Sequence, residues 1–411
     1  MLIRLLALAF PLLLATRSFA DESAWPEFRG PSGDGIAADA DLPIAIDQSV
    51  ITWQTPIHGK GWSSPVVWKD QIWLTTATAD GKRMSVVCID RMSGRIVHDK
   101  VLIENKEPSS CHPMNSYASP TPVIEEGRVY VHFGAYLTAC LDTASADLVW
   151  ERRDFECDHY RGPASSPILY DGKIFIAFDG IDVQFVVALD AQTGETLWRK
   201  KRSIDYGTDI GDQMKAYGTA EVINVNGQDQ LIYPSAVATI AYDPQTGNEI
   251  WTVYHGGMNA SARPILVDGT LLLSNGLGAI VAVLAGGKGN ITDSNIVWSS
   301  KKSVAKRSSP IVVGDLIFMV TDEGILTCRE LDSGEIVWKH RLQGTFAASP
   351  IYASGRLYFF NMDGEILTLL PIRSYSPLAE TTLGDGFMAS PAVAGNQLFL
   401  RSKSMLYCIE K

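Results

Sequence analysis

The chain has 411 residues, of which 46% are aliphatic, aromatic or Cys and 20% are charged, which excludes a disordered or low-complexity chain. Its net charge of −11, from 35 Lys and Arg against 46 Asp and Glu, opposes sequence-independent binding to nucleic acid or to an anionic membrane. Length alone would suggest two or three domains, unless one repeat runs through the whole chain.

In chain order, residues 1–20 read first as a cleavable secretory signal. Arg4 supplies the positive start, Leu5 to Ala15 the apolar stretch, and Ser18 and Ala20 the small residues of a cleavage site. Pro11 and the shortness of the run argue against a membrane-spanning anchor. No Cys follows the run to carry a lipid, and no later stretch of eighteen apolar residues suggests a transmembrane span. The expectation is therefore an exported chain of the periplasm or cell envelope, soluble after cleavage and monomeric. Residues 21–50, which include WPEFRGPSGDG from Trp25 to Gly35, read as an N-terminal arm ahead of the repeats.

From residue 51 onward a two-part element recurs. Its first part is a small-residue entry and a hairpin, as in SSPVVWKDQIWL from Ser63, SSPILYDGKIFI from Ser165, SSPIVVGDLIFM from Ser308, ASPIYASGRLYF from Ala348 and ASPAVAGNQLFL from Ala389. Looser copies begin at Thr121, Ala220 and Arg263, which makes eight. The second part is a tight Asp-x-x-x-Gly turn followed by a large ring, as in ALDAQTGETLW ending at Trp198 and AYDPQTGNEIW ending at Trp251. Trp53, His98, Trp150, Trp198, Trp251, Trp298 and Trp338 mark successive copies, roughly 47 residues apart. Four short strands at that period are the measure of a propeller blade. The last copy, MLYCIEK, lacks a fourth strand, whereas ITWQ around Trp53 has no blade of its own. Joining them predicts an all-β, eight-bladed propeller of four-stranded antiparallel blades over residues 51–411, closed by strands from both termini so that no edge is left free.

ALDAQTGETLW resembles the Ala-x-Asp-x-x-Thr-Gly-x-x-x-Trp docking motif of the quinoprotein, or pyrroloquinoline-quinone-like, propellers. The repeat also resembles exported propellers of planctomycete-type bacteria. The resemblance implies eight blades and two functional branches: a non-catalytic scaffold like the outer-membrane assembly factor, or a quinone-dependent oxidoreductase with calcium. The second branch characteristically covers its quinone with a disulfide between adjacent cysteines, and no two of the six cysteines here are adjacent. No C-x-x-C-H, Walker-type phosphate loop or nucleophile elbow occurs either. The leading expectation is a non-catalytic protein without a cofactor that binds an envelope protein or a small polar ligand. The alternative is the quinone-dependent enzyme.

Cys88, Cys140, Cys328 and Cys408 take equivalent places in different blades and are expected to be buried thiols. Cys111 and Cys157 lie in neighbouring loops, where export permits a bridge. The outcomes are a disulfide, the expectation carried forward, or two unpaired thiols. The loops between blades should gather on one face around the channel mouth, and loops on a rigid scaffold commonly bind. Those of the second to fifth blades bring His112, Asn115, Tyr117, His159, Arg161, Asp205, Lys215, Tyr217, His255, Asn259 and Arg263 as candidate ligand-binding residues. Arg161 and Arg263 are the best anchors for a carboxylate, because a guanidinium can grip one with two parallel bonds. A metal site built from His58, His112, His159 and His255, or from Asp205, Asp209 and Asp212, is the less favoured reading, because sequence does not set the directions of the histidine side chains and the aspartate spacing does not match an EF-hand loop.

Overall fold

A computed structural model describes residues 24–411, so the expected signal segment, residues 1–20, lies outside the described residues. Strands dominate, in eight sheets that follow one another along the chain. Blade one is built from Val66–Trp68, Gln71–Ala77, Arg83–Asp90 and Ile96–Glu104, and blade two from Val123–Glu125, Arg128–His132, Thr138–Asp142 and Leu148–Arg152. Blades three, four, five, six and seven begin at Ile168, Glu221, Ile265, Ile311 and Ile351. In each, the first strand faces the axis, and the first strands of blades one and two, eight and one, and six and seven touch. Blade eight combines Ala392–Ala394, Gln397–Arg401 and Met405–Ile409 with Ile51–Pro56, and Trp53 pairs with Cys408. The fold is the expected eight-bladed propeller, closed by strands from both ends of the repeat region.

The core is divided among the joints between blades instead of gathering at one centre. Trp73, Val86 and Cys88 of blade one pack against Val129, Val131 and Ala139 of blade two, all fully buried. Around the outside most joints are latched by the ring that ends a repeat. Asp190 Oδ1 accepts from the amides of Gln192 and Thr193 and shapes the turn in blade three. Trp150 of blade two then donates its indole N–H to Ala191 O at 2.9 Å. Gly194 is required at that turn twice over: its φ is +74°, and a Cβ there would lie 2.6 Å from the Trp150 ring. Trp53, Trp198 and Trp298 repeat the latch on Arg91 O, Pro244 O and Leu331 O.

Three joints depart from the pattern; in blade seven Ala379, opposite Thr368, stands where the ring would be. His98 stands where other blades have Trp and stacks on Trp73 at 5.9 Å. Trp251 turns to Gln230 Oε1 at 2.8 Å, because the link between the third and fourth strands of blade five is enlarged. That link sends Gly289–Asn290 back as a short parallel strand beside Trp251 and Thr252.

The arm is where the structure adds most to the sequence reading. Residues 24–37 cross the channel and pair with inward edges of the innermost strands. Trp25 and Val67 exchange two backbone bonds of 2.9 Å, Ile124 N–H donates to Pro26 O, and Ile36 and Ala37 run parallel to Tyr352 and Ala353. Arg29, fully buried, donates to Pro310 O at 3.0 Å, to Pro350 O at 3.3 Å and to Asp34 O. The arm then leaves along blade seven, where Arg356 and Tyr358 donate to Leu42 O and Pro43 O, and reaches Ile51 as the outer strand of blade eight. The glycines of WPEFRGPSGDG permit this crowded passage: Gly33 has φ +67°, and a Cβ on it would meet Glu221 at 2.3 Å.

Candidate functional site

The small residues that open each repeat form a belt around the channel. Ser64 N–H donates to Thr121 Oγ1, Thr121 N–H to Ser166 Oγ and Ser166 N–H to Thr219 Oγ1, at 2.9–3.1 Å. On the other side Arg263 N–H donates to Ser309 Oγ, Ser309 N–H to Ser349 Oγ and Ser349 N–H to Ser390 Oγ, at 2.9–3.0 Å. Blade five breaks the belt, since Arg263 stands where the others carry a hydroxyl. Above this belt lies a cavity of about 360 Å³, with Phe28 of the arm among its lining residues. Because the arm crosses the axis, the cavity is a blind pocket and not a through-channel.

Five of the eleven candidates line it: His112, Asn115, Arg161, Tyr217 and Asn259. Lys215 stands directly behind them, fully buried, and donates to Asn259 Oδ1 at 2.9 Å and to the Tyr217 hydroxyl. Asp212 joins the group, 2.6 Å from Arg161 Nη2 and 3.4 Å from Lys215 Nζ. Burial drives the Lys215 ammonium down to about 8, against the pull of Asp212, and pushes the Tyr217 phenol up, so that hydroxyl stays protonated. On the opposite wall Arg307 Nε lies 3.2 Å from Asp322, and Lys306 pairs with Glu323 at 3.0 Å. Trp62, Met114 and Met388 supply the apolar part of the lining.

The other five candidates do not reach the pocket. Tyr117 is buried and donates to Ser109 O at 2.7 Å. His159 packs beside Phe178, and burial lowers it to about 4, which keeps it neutral. His255 is likewise lowered to about 4 by burial and is held between Thr239 Oγ1 and Gly256 O. Asp205 is exposed in a separate surface hollow, where it accepts from Gly207 N–H. Arg263 corrects the most pointed expectation. Its fork does grip carboxylates, but they are the protein's own: Glu27 at 2.6 Å and Glu221 at 2.7 Å, with Phe28 O as a third acceptor.

The expected Cys111–Cys157 bridge is also absent, because both thiols are free. Cys111 Sγ turns toward Arg161 O at 3.5 Å, whereas Cys157 Sγ faces His159 Nδ1 at 3.9 Å, so each has found a different partner. Lys306 and Arg307 have a sequence signal, two cations just before the inner strand of blade six. Trp62 has none beyond its place before the first Ser-Pro.

A family model described as outer membrane protein assembly factor BamB matches residues 109–340 and again 186–411. The chain belongs to that family. Among curated relatives, the BamB of Moranella endobia is 23% identical over 220 residues, covering 49% of this chain and 53% of the relative. That of Xanthomonas campestris is 25% identical over 200 residues, covering 46% and 45%. The match thus spans about half the length of these relatives. Among solved structures, BamB from Moraxella catarrhalis superposes with a TM-score of 0.62 at 12% identity, over 88% of this chain and 99% of that one. A europium-containing methanol dehydrogenase reaches 0.75 at 10% identity over 95% and 98%. At such identities both show the shared fold and no more.

The dehydrogenase likeness raises the question whether these residues suit a quinone beside a metal ion. They do not. Asp322 is the one carboxylate on the cavity wall among the described residues, and it faces Arg307. A hard cation needs six to eight oxygen ligands with several carboxylates, and no group of three or more His, Cys, Asp or Glu among the described residues could hold a metal ion. Arg161, Lys306 and Arg307 would repel one.

Proposed function

We propose that this chain is a non-catalytic, exported propeller that works as a monomeric scaffold in the bacterial envelope. In this reading it holds a partner protein at the channel mouth, in the outer-membrane assembly role that its relatives' name states. The observation that carries the reading is the blind, polar mouth of a BamB-family propeller, without the donor set of a redox centre. Among the described residues no helix is long and apolar enough to cross a membrane.

Affinity capture from an envelope extract of the source bacterium tests this. Recovery of barrel-assembly components by the wild type, and their loss in an Arg161→Ala, Arg307→Ala variant with unchanged melting, supports the scaffold. Wild-type capture that contains none of those components overturns it.

A further inference from the structure

We propose that the mouth cavity is a carboxylate site, built to take one acidic side chain or a free acid of similar size. The inference uses the same face as the scaffold reading but stands on the pocket's own hydrogen-bond accounting. A site selective for an anion must present donors while its acceptors are already used. This wall meets that requirement atom by atom.

Lys215 can only donate, so its bond to Asn259 fixes Oδ1 as the acceptor and leaves the amide NH2 toward the cavity, with no protein acceptor among the described residues. The same ammonium donates to the Tyr217 oxygen, which leaves the phenolic O–H as a donor. His112 accepts from Met114 N–H at Nδ1, so the ring proton sits on Nε2. Arg161 spends Nη2 on Asp212 and keeps its other N–H groups. Asn115, by contrast, is satisfied on both ends and serves as wall: its NH2 donates to Arg161 O and Pro163 O, and its oxygen accepts from Ser116 and Ser119.

Charge selects among anions. Four cations (Arg161, Lys215, Lys306 and Arg307) are set against Asp212, Asp322 and Glu323, a surplus of one positive charge. That suits a monoanion better than a doubly charged phosphate, which the two nearby aspartates would repel. A cavity of about 360 Å³ is at the small end of ligand sites, large enough for a side chain and too small for a folded segment.

Titration of the full chain with N-acetylglutamate amide, butyrate, N-acetylglutamine amide and inorganic phosphate, read by calorimetry and by tryptophan fluorescence, tests the proposal. The glutamate amide or butyrate should bind saturably, and the glutamine amide on the order of tenfold to a hundredfold more weakly, as expected for loss of charged hydrogen bonds. Preference for the glutamate amide over butyrate marks a peptide as the source of the carboxylate, and the reverse marks a free acid. Asn259→Asp keeps the oxygen that Lys215 needs and replaces only the cavity-facing NH2 by an acceptor, so it should fold normally and lose binding. Equal binding of the glutamine amide, tighter binding of phosphate, undiminished binding by Asn259→Asp, or no binding of either acid overturns the carboxylate site. Captured assembly components beside a negative titration would leave the scaffold standing and the carboxylate site refuted. A positive titration beside an empty capture would do the opposite.

Discussion

Arg263, at the inner rim of blade five, and Glu27, in the N-terminal arm, are 236 positions apart in the chain and 2.6 Å apart in space. Their ion pair, together with Arg263–Glu221, fastens the arm across the axis where neither side chain is more than slightly exposed. A charge left alone in such a place is costly, because it has lost its water and gained nothing. Arg263→Met would strand two carboxylates, and stability should fall by about 3–5 kcal/mol. Chemical denaturation measures it; a loss below about 1 kcal/mol would mean that the arm is held by its other contacts, Trp25 and Arg29 among them.

Two carboxylates on one guanidinium also make stability depend on pH. Burial raises both, Glu221 to about 7, while Arg263 opposes the shift and is itself held protonated. A carboxyl raised in the folded state keeps its proton after the unfolded chain has released its own. Its contribution is therefore most favourable at acid pH and is lost as pH rises through the folded value. Relative to Glu221→Gln, the wild type should lose melting temperature between about pH 5 and pH 7 and change little above that. A difference that stays flat across the range would show that Glu221 ionises normally.

How much of this could be read in advance depends on whether the signal repeats. The Asp turn, the Gly and the following Trp recur along the chain, so the latch of Trp150 on the Gly194 turn and the pairing of Trp53 with Cys408 are legible as a period. The arm occurs once, and its partners Val67, Ile124 and Tyr352 are scattered over three blades, so no spacing betrays it. Arg263 did carry a sign: it occupies the place where neighbouring copies have Thr219 or Ser309, and a departure from a belt marks a special contact. His159 and His255 looked alike in their loops. Only packing against Phe178 and the bond to Thr239 show them to be structural.

The free thiols make a chemical prediction. Burial pushes Cys111 up to about 11 and Cys157 higher still, the latter reinforced by Asp182. Since the thiolate is the reactive form, both should alkylate slowly at pH 8 in the folded protein and quickly on unfolding. Non-reducing peptide mapping of protein purified without reductant should recover each as a free, alkylated thiol. A linked Cys111–Cys157 peptide would restore the bridge.

Blade three contains its own control for the inter-blade latch. Gly172 and Gly194 both sit in turns at positive φ, +69° and +74°, so Ala at either position carries the same backbone strain. They differ in surroundings: a Cβ at Gly172 meets nothing within 4 Å, whereas one at Gly194 meets the Trp150 ring at 2.6 Å. Gly172→Ala should therefore cost about 1–2 kcal/mol, and Gly194→Ala a further 1–3 kcal/mol from forcing the ring off its seat. Trp150→Ala supplies the cycle. Alone it should be strongly destabilising, since it empties a buried site and leaves Ala191 O without its donor. In the Trp150→Ala background the extra cost of Gly194→Ala should vanish, leaving only the strain that Gly172→Ala also shows. Equal costs for the two glycines in the wild type would mean that the ring yields freely. The blades would then be held together by their buried aliphatic faces and not by the tryptophan latch.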